Sequence, residues 1–121
     1  TDLIIVEGQG ALSNYAYSGV TLGLMHGCMP DYLIMTHDPS RSKDVMGHKI
    51  PDIKELMQLH TDLMSPFKRS SFIGINLLTY EMGESIAKNT INEFESLYKL
   101  PTTDLIRFGD SNLIKSIYNL I

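Results

Sequence analysis

Cysteine is almost absent from this sequence. Cys28 stands alone among 121 residues, so no internal disulfide framework exists, and with no secretory leader in the chain the reducing cytoplasm is the expected compartment. No apolar run approaches the roughly 20 residues that cross a bilayer, so no membrane association is expected. Lys and Arg number 10 against 14 Asp and Glu, a formal charge of −4, and they lie scattered. That leaves no basic stripe to neutralise phosphates along a nucleic acid, which is not an expected partner. The four histidines share no metal-ligand spacing such as i, i+4, which argues against zinc. A Walker A loop, Gly-x-x-x-x-Gly-Lys followed by Ser or Thr, is missing, as are internal repeats, low-complexity tracts and interdomain linkers. A single domain over 1–121 is the expectation, and at this length it buries roughly 65% of the surface its unfolded form exposes.

What is present begins with Leu3-Ile4-Ile5-Val6-Glu7-Gly8-Gln9-Gly10. Four consecutive β-favouring apolar residues read as a strand buried on both faces of a parallel sheet, with a carboxylate and two glycines directly after it. Ligands of open α/β sheets bind beyond the carboxyl ends of strands, so Glu7 to Gly10 is where chemistry is expected. A chain that opens at Thr1 and enters such a strand two residues later also reads as a fragment of a longer one.

The remaining elements follow in alternation. Ala11 to Tyr17 reads as loop, and Ser18 caps a helix to about Gly27, with Gly19, Gly23 and Gly27 on one face letting its backbone approach the sheet. Tyr32 to Thr36 is a second buried strand that ends at His37-Asp38-Pro39. Ser40 to Ile50 shows no periodicity and reads as a polar binding segment or lid. Pro51-Asp52 opens a helix with Ile53, Leu56, Met57, Leu63 and Met64 on one face and His60 among them; Ser65-Pro66 closes it. Phe72 to Leu78 is a third strand. A helix from Glu84 to about Tyr98 places Ile86, Ile91, Phe94, Leu97 and Tyr98 on one stripe. Pro101 leads into an extended segment, Leu105 to Phe108, and Asp110 or Ser111 caps a last helix with Leu113, Ile114, Ile117 and Leu120 inward. Strand and helix thus alternate four times. The pattern predicts an α/β fold with a mostly parallel sheet, right-handed crossovers and helices on both faces.

Several polar groups point to chemistry. Gly8-Gln9-Gly10-Ala11-Leu12-Ser13 comes within one residue of the dinucleotide fingerprint, but Ser13 stands where the third glycine belongs and Glu7 would set a negative charge beside a pyrophosphate. Glu7 is better read as a carboxylate that holds Mg²⁺, usually through water and beside substrate phosphates, or that accepts a proton. The flanking glycines let backbone amides approach an anion. His37, at the equivalent end of the second strand, suits a general base, and Arg41 suits a bidentate grip on a carboxylate. The alternative for that pair is a solvated histidine and an arginine paired with Asp38 or Asp44. His60 fits a core-edge residue satisfied by a hydrogen bond, and Cys28 a buried or half-buried structural thiol.

Three stretches carry a resemblance. Val6-Glu7-Gly8-Gln9-Gly10, Tyr17-Ser18-Gly19-Val20-Thr21-Leu22-Gly23-Leu24-Met25-His26-Gly27 and Pro30-Asp31 form the first block. His37-Asp38-Pro39-Ser40-Arg41 is similar to a His-x-Pro-Gly-Arg block, and Pro101-Thr102-Thr103-Asp104-Leu105-Ile106-Arg107-Phe108-Gly109 to a Pro-x-Thr-Asp-x-x-Arg-Phe-Gly block. Together they resemble the carboxyl-terminal, P-loop-type domain of a bacterial and archaeal family long of unknown function, whose assigned activity is D-glutamate N-acetyltransferase (DgcN-like). Two positions depart from its pattern: Ser40 replaces the glycine of the second block, and Leu78 stands where an asparagine is expected after the third strand.

The resemblance implies a two-domain protein with a Rossmann-like first domain and a second domain similar to dethiobiotin synthetase. The present chain would be the later part of that second domain, with the phosphate loop upstream. It implies a small-molecule enzyme in which acetyl-CoA is co-substrate and donates to the amino group of a D-glutamate-like amino acid. Glu7 and His37 are then the catalytic candidates, and Gly8, Gln9, Gly10, Tyr17, Ser18 and Arg41 the substrate- or nucleotide-binding ones, all expected in one cleft. An ATP- and Mg-dependent ligase or synthetase is the second expectation, with Mg-nucleotide as cofactor and Glu7 on the metal. A third is a non-enzymatic interaction fragment completed by another chain. A homo-oligomer is expected, because a sheet lacking central strands exposes its edges.

Overall fold

The computed structural model describes residues 2–109 and 112–121. Their elements run α1 (Ser18–Cys28), β1 (Tyr32–His37), α2 (Ile53–Met64), β2 (Ser71–Leu77), α3 (Glu84–Tyr98), β3 (Thr102–Thr103), α4 (Leu105–Phe108) and α5 (Asn112–Tyr118). The three strands form one sheet in the order β1-β2-β3, with β2 and β3 parallel and Ile75 opposite Thr102. Parallel neighbours need a crossover, and α3 supplies it. The chain divides into two compact units, Thr1–Tyr32 with Arg41–Ser71, and Leu33–Ser40 with Phe72–Ile121.

The first unit is built from α1 and α2. Its core is Leu12, Met25 and Met64, with Leu22, Met29 and Leu63 packed against them. Met64 is fully buried, worth about 2 kcal/mol as transfer from water. The entry to α1 is set by Asn14 rather than by Ser18. Ala16 N–H donates to Asn14 Oδ1 at 2.8 Å and Ser18 N–H to Asn14 O at 2.8 Å, so Ser18 is the first helical residue and Tyr17 the N-cap without a side-chain bond. The face carrying Gly19, Gly23 and Gly27 is open, with nothing within 4 Å of a Cβ built on any of them. The expected close approach to a sheet is therefore not made among the described residues. Asp52 does cap α2, accepting from Lys54 N–H and Glu55 N–H.

Leu3 to Val6 corrects the leading expectation. No strand forms there, and Ile4 and Ile5 are 78% and 80% exposed. A strand owes its stability to a ladder partner and to covered faces. Among the described residues nothing is paired with this run, so it has strand composition without strand structure.

The second unit holds the sheet. β1 alternates, with Leu33, Met35 and His37 turned inward and Tyr32, Ile34 and Thr36 exposed, so it is covered on one face rather than both. β2 is the central strand, and Gly74, Ile75 and Leu77 on it are buried. Gly74 is required there: a Cβ would stand 2.0 Å from Leu113 Cδ1 and 3.0 Å from Pro101 O. In α3 the inward residues are Ala87 and Ile91, while Ile86 and Leu97 are exposed, so the packed stripe is turned from the expected one. The strand expected over Leu105 to Phe108 is a helical turn, and the strand is Thr102–Thr103. Asp104 decides this by accepting from Ile106 N–H and Arg107 N–H, which starts a helix where apolar composition alone reads as extended. In α5 Leu113 is buried, while Leu120, expected inward on that helix, lies beyond its end and is exposed. The residues expected to cap that helix, Asp110 and Ser111, lie outside the described residues.

Candidate functional site

In the second unit the carboxyl ends of all three strands release polar side chains. β1 ends at His37, whose carbonyl accepts from Leu78 N–H at 2.9 Å just after β2. Beyond it Ser40 folds back on Asp38, with its N–H at 2.9 Å and its Oγ at 2.5 Å from Asp38 Oδ1. The same hydroxyl lies 3.3 Å from Glu81 Oε2, in the loop after β2. A glycine at position 40 could not make these side-chain contacts, so the departure at Ser40 ties the β1 and β2 loops together.

β3 hands over to Asp104, which is buried. Its Oδ2 accepts from Thr79 N–H at 2.9 Å and Thr79 Oγ1 at 2.7 Å, and its Oδ1 from Ile106 N–H and Arg107 N–H. Burial works against its charged form, but those hydrogen bonds prevail and hold the carboxyl below its usual range. Arg107 Nη1 then donates to Thr79 O at 2.6 Å and Met82 O at 2.7 Å. The third resemblance block is thus a bracket fixing the loop after β2. Asn76 Oδ1 adds an acceptor for Leu105 N–H at 3.0 Å.

The His37 ring is half-buried and lies against Phe94, with centroids 6.2 Å apart. Burial lowers its pKa from 6.5, with the Asp38 charge acting in the opposite sense. The ring is therefore neutral at pH 7, the state a general base needs.

The other candidates belong to the first unit. Glu7 is exposed. Gly8, Gln9 and Gly10 run along α1, with Gly10 at Tyr17, Thr21 Oγ1 donating to Gln9 O at 2.6 Å and Gly8 beside Leu24. Gly10 has φ +57°, and a Cβ on it would meet Tyr17 Cβ at 2.7 Å, so only glycine fits beneath that ring. The structure thus sets Gly10 against Tyr17, next to Ser18 at the helix start, and lays Gln9 and Gly8 further along the same helix, while His37 belongs to the other unit. Arg41 is exposed and opens the segment 41–50.

His60 is a core-edge residue, its Nδ1 2.7 Å from Leu56 O, and burial lowers its pKa. His26 Nε2 lies 3.0 Å from Leu63 O. Cys28 is exposed rather than buried, because α1 ends there. Among the described residues no three His, Cys, Asp or Glu side chains gather as metal ligands. Glu7 alone would fit Mg²⁺ only as one ligand beside substrate phosphates. Among the described residues no helix is long and apolar enough to cross a membrane.

Sequence reasoning passed over Thr79, Glu81, Asp104 and Arg107 as functional scaffolding. The usable signal was an Asp with an Arg three residues on, an N-cap pattern directly after a short polar strand.

A parallel sheet with helices, polar at the carboxyl ends of its strands, defines an α/β domain of the kind that binds ligands along that edge. The chain belongs to the DUF1611 family: residues 1–114 match its model for a domain of unknown function (DUF1611_C), a P-loop domain. It is 33% identical over 116 residues to a D-glutamate N-acetyltransferase of Tritonibacter scottomollicae, and 29% identical over 120 residues to one of a Pseudoalteromonas species. A crystal structure of a DUF1611 family protein from Anabaena variabilis superposes with a TM-score of 0.85 at 28% identity. Each match covers 93% of this chain; the chain spans 35% of the length of the two curated relatives and 34% of the crystal chain.

Proposed function

We propose that this domain contributes to an N-acetyltransferase in which acetyl-CoA donates to the amino group of a small acidic amino acid such as D-glutamate. Two relatives bearing that name support the class of reaction. The observation that carries the residue assignment is His37, neutral, half-buried and placed at the carboxyl end of a strand. In this reading His37 takes a proton from the substrate ammonium. The freed amine attacks the thioester carbonyl, the new C–N bond forms as the C–S bond breaks, and coenzyme A leaves as a thiolate that is then protonated. Within the first unit, taken by itself, Arg41 is the candidate to grip a carboxylate, the amides around Gly8 and Gly10, with Gln9, Tyr17 and Ser18, are the candidates to hold a phosphate, and Glu7 is the alternative proton acceptor.

The test uses the protein extended to the full length of its relatives, assayed with acetyl-CoA and D-glutamate. Glu7→Gln lowers turnover by about two orders of magnitude, and an unchanged rate removes Glu7 from the chemistry. Arg41→Lys raises KM for the amino acid about tenfold through loss of the bidentate contact; an unchanged KM removes Arg41 from binding. One observation favours a second reading, the family's description as a P-loop domain. An ATP- and Mg-dependent synthetase would then bind ATP·Mg in calorimetry and ignore acetyl-CoA.

A further inference from the structure

The segment expected as a polar loop is a small hairpin closed by a turn at Gly47, where φ is +84°. Lys43 and Lys49 face each other across it in an antiparallel bridge. The flanking bonds, Asp44 N–H to His48 O at 2.8 Å and Ile50 N–H to Ser42 O at 3.0 Å, make this a pair not itself hydrogen-bonded. That is the register in which opposed side chains come closest. Like charges directly opposite one another are unfavourable. Both lysines are exposed, and among the described residues neither ammonium has an ion-pair partner.

The hairpin's own carboxylate does not relieve them. Asp44 Oδ1 accepts from Met46 N–H at 2.8 Å and His48 N–H at 3.0 Å, shaping the turn. The frame is also anchored within its unit, since the His48 ring lies 4.3 Å from that of Tyr15. Residues 41–50 carry Arg41, Lys43 and Lys49 against Asp44 alone, in a chain whose formal charge is −4. A cationic pair held in close register on a pinned turn, within an acidic protein, fits an anion with oxygens to offer both ammonium groups.

We infer that Lys43 and Lys49 form a phosphate-binding site that holds the phosphates of an adenine nucleotide. Resting on the acetyl-transfer reading, the nucleotide is the 3′-phospho-ADP portion of the acyl donor. ATP offers the same chemistry and is the other source.

Calorimetry on the relative-length protein, with adenosine 3′,5′-bisphosphate and ATP·Mg as probes, compares wild type with the double variant Lys43→Gln, Lys49→Gln. The bisphosphate binds about tenfold more weakly to the variant and its affinity depends less steeply on salt. The ligand-free thermal midpoint is unchanged or higher, because the repulsion is gone. In turnover, KM for acetyl-CoA rises about tenfold while KM for acetyl-pantetheine, which lacks the nucleotide, does not move. Equal bisphosphate and ATP binding by both proteins overturns the site. A loss confined to ATP·Mg overturns its assignment to the acyl donor. If the wild type transfers no acetyl group, the proposed activity fails while the binding comparison still decides the lysine pair.

Discussion

Two apolar runs in this chain hand over to a polar residue, Leu3 to Val6 to Glu7 and Tyr32 to Thr36 to His37, and they meet opposite fates. The second is a strand, its last carbonyl bonded to the chain beyond β2 and its histidine half-buried. The first is exposed throughout and ends at an exposed carboxylate. Composition is shared, so the difference lies in neighbours: β1 has β2 beside it, and the first run has no partner among the described residues. The consequence is chemical. Burial tunes His37 towards its neutral form, and its place at a strand end, which the exposed Glu7 lacks, makes His37 the stronger candidate for the proton.

The contrast is broken or sharpened by perturbing each side. Asp104→Ala carries the largest expected effect, because it strips the N-cap of α4 and leaves Thr79 N–H buried without an acceptor. A loss of about 3 kcal/mol is expected, read from the shift in urea midpoint. A loss under about 1 kcal/mol would mean the bracket behind the sheet edge is not rigid.

Gly74→Ala comes next, at about 2 kcal/mol by the same measurement, since Leu113 is fully buried and cannot swing clear and Pro101 O is backbone. If alanine is tolerated, the central strand is less closely packed than the sheet requires.

Acid sensitivity follows, with two contributions of defined sign. His37 has a folded pKa below 6.5, so the unfolded chain binds its proton first. Stability therefore falls as pH drops below about 6.5, at no more than about 1.4 kcal/mol per pH unit for one proton. Asp104 is depressed below its unfolded value of 3.8, so its contribution is complete above that value and is lost as pH falls through the folded one. Urea midpoints from pH 8 to 3 should show both limbs, with His37→Gln shrinking the first, to which His60 contributes with the same sign, and Asp104→Asn shrinking the second, to which Glu84 does.

The smallest effect is expected at Ile5→Ser, within about 0.5 kcal/mol in the 121-residue chain, as for other exposed sites. A loss of 2 kcal/mol or more would show that the first run is buried after all and erase the contrast.

Much of the second unit was legible in the sequence because local signals and tertiary needs agree there. β1, β2 and α3 lie within a residue of their expected bounds, and in the first unit Asp52 opens α2 as the sequence suggests. What misled was pattern without context. Leu3 to Val6 satisfies every compositional rule for a strand, yet pairing is a property of neighbours that composition does not record. Ile106 and Phe108 look like strand residues, but Asp104 bonds the amides that follow it and turns the chain into a helix. Ser18 looked like a cap because hydroxyls often are, and Asn14, four residues earlier, reached the backbone first. His37, Arg41 and the glycine loop stand out in the sequence as candidates one residue at a time, whereas the Asp104, Thr79 and Arg107 bracket joins positions 25 to 28 residues apart and leaves no periodic trace.

The pH dependence of acetyl transfer to D-glutamate by the relative-length protein, wild type beside His37→Gln, probes the role of His37 most directly. The burial of that ring predicts a wild-type kcat/KM that stays level from pH 8 to below 6.5 before declining, and a variant about 100-fold slower across the range. Equal rates and superimposable profiles for the two proteins would contradict it.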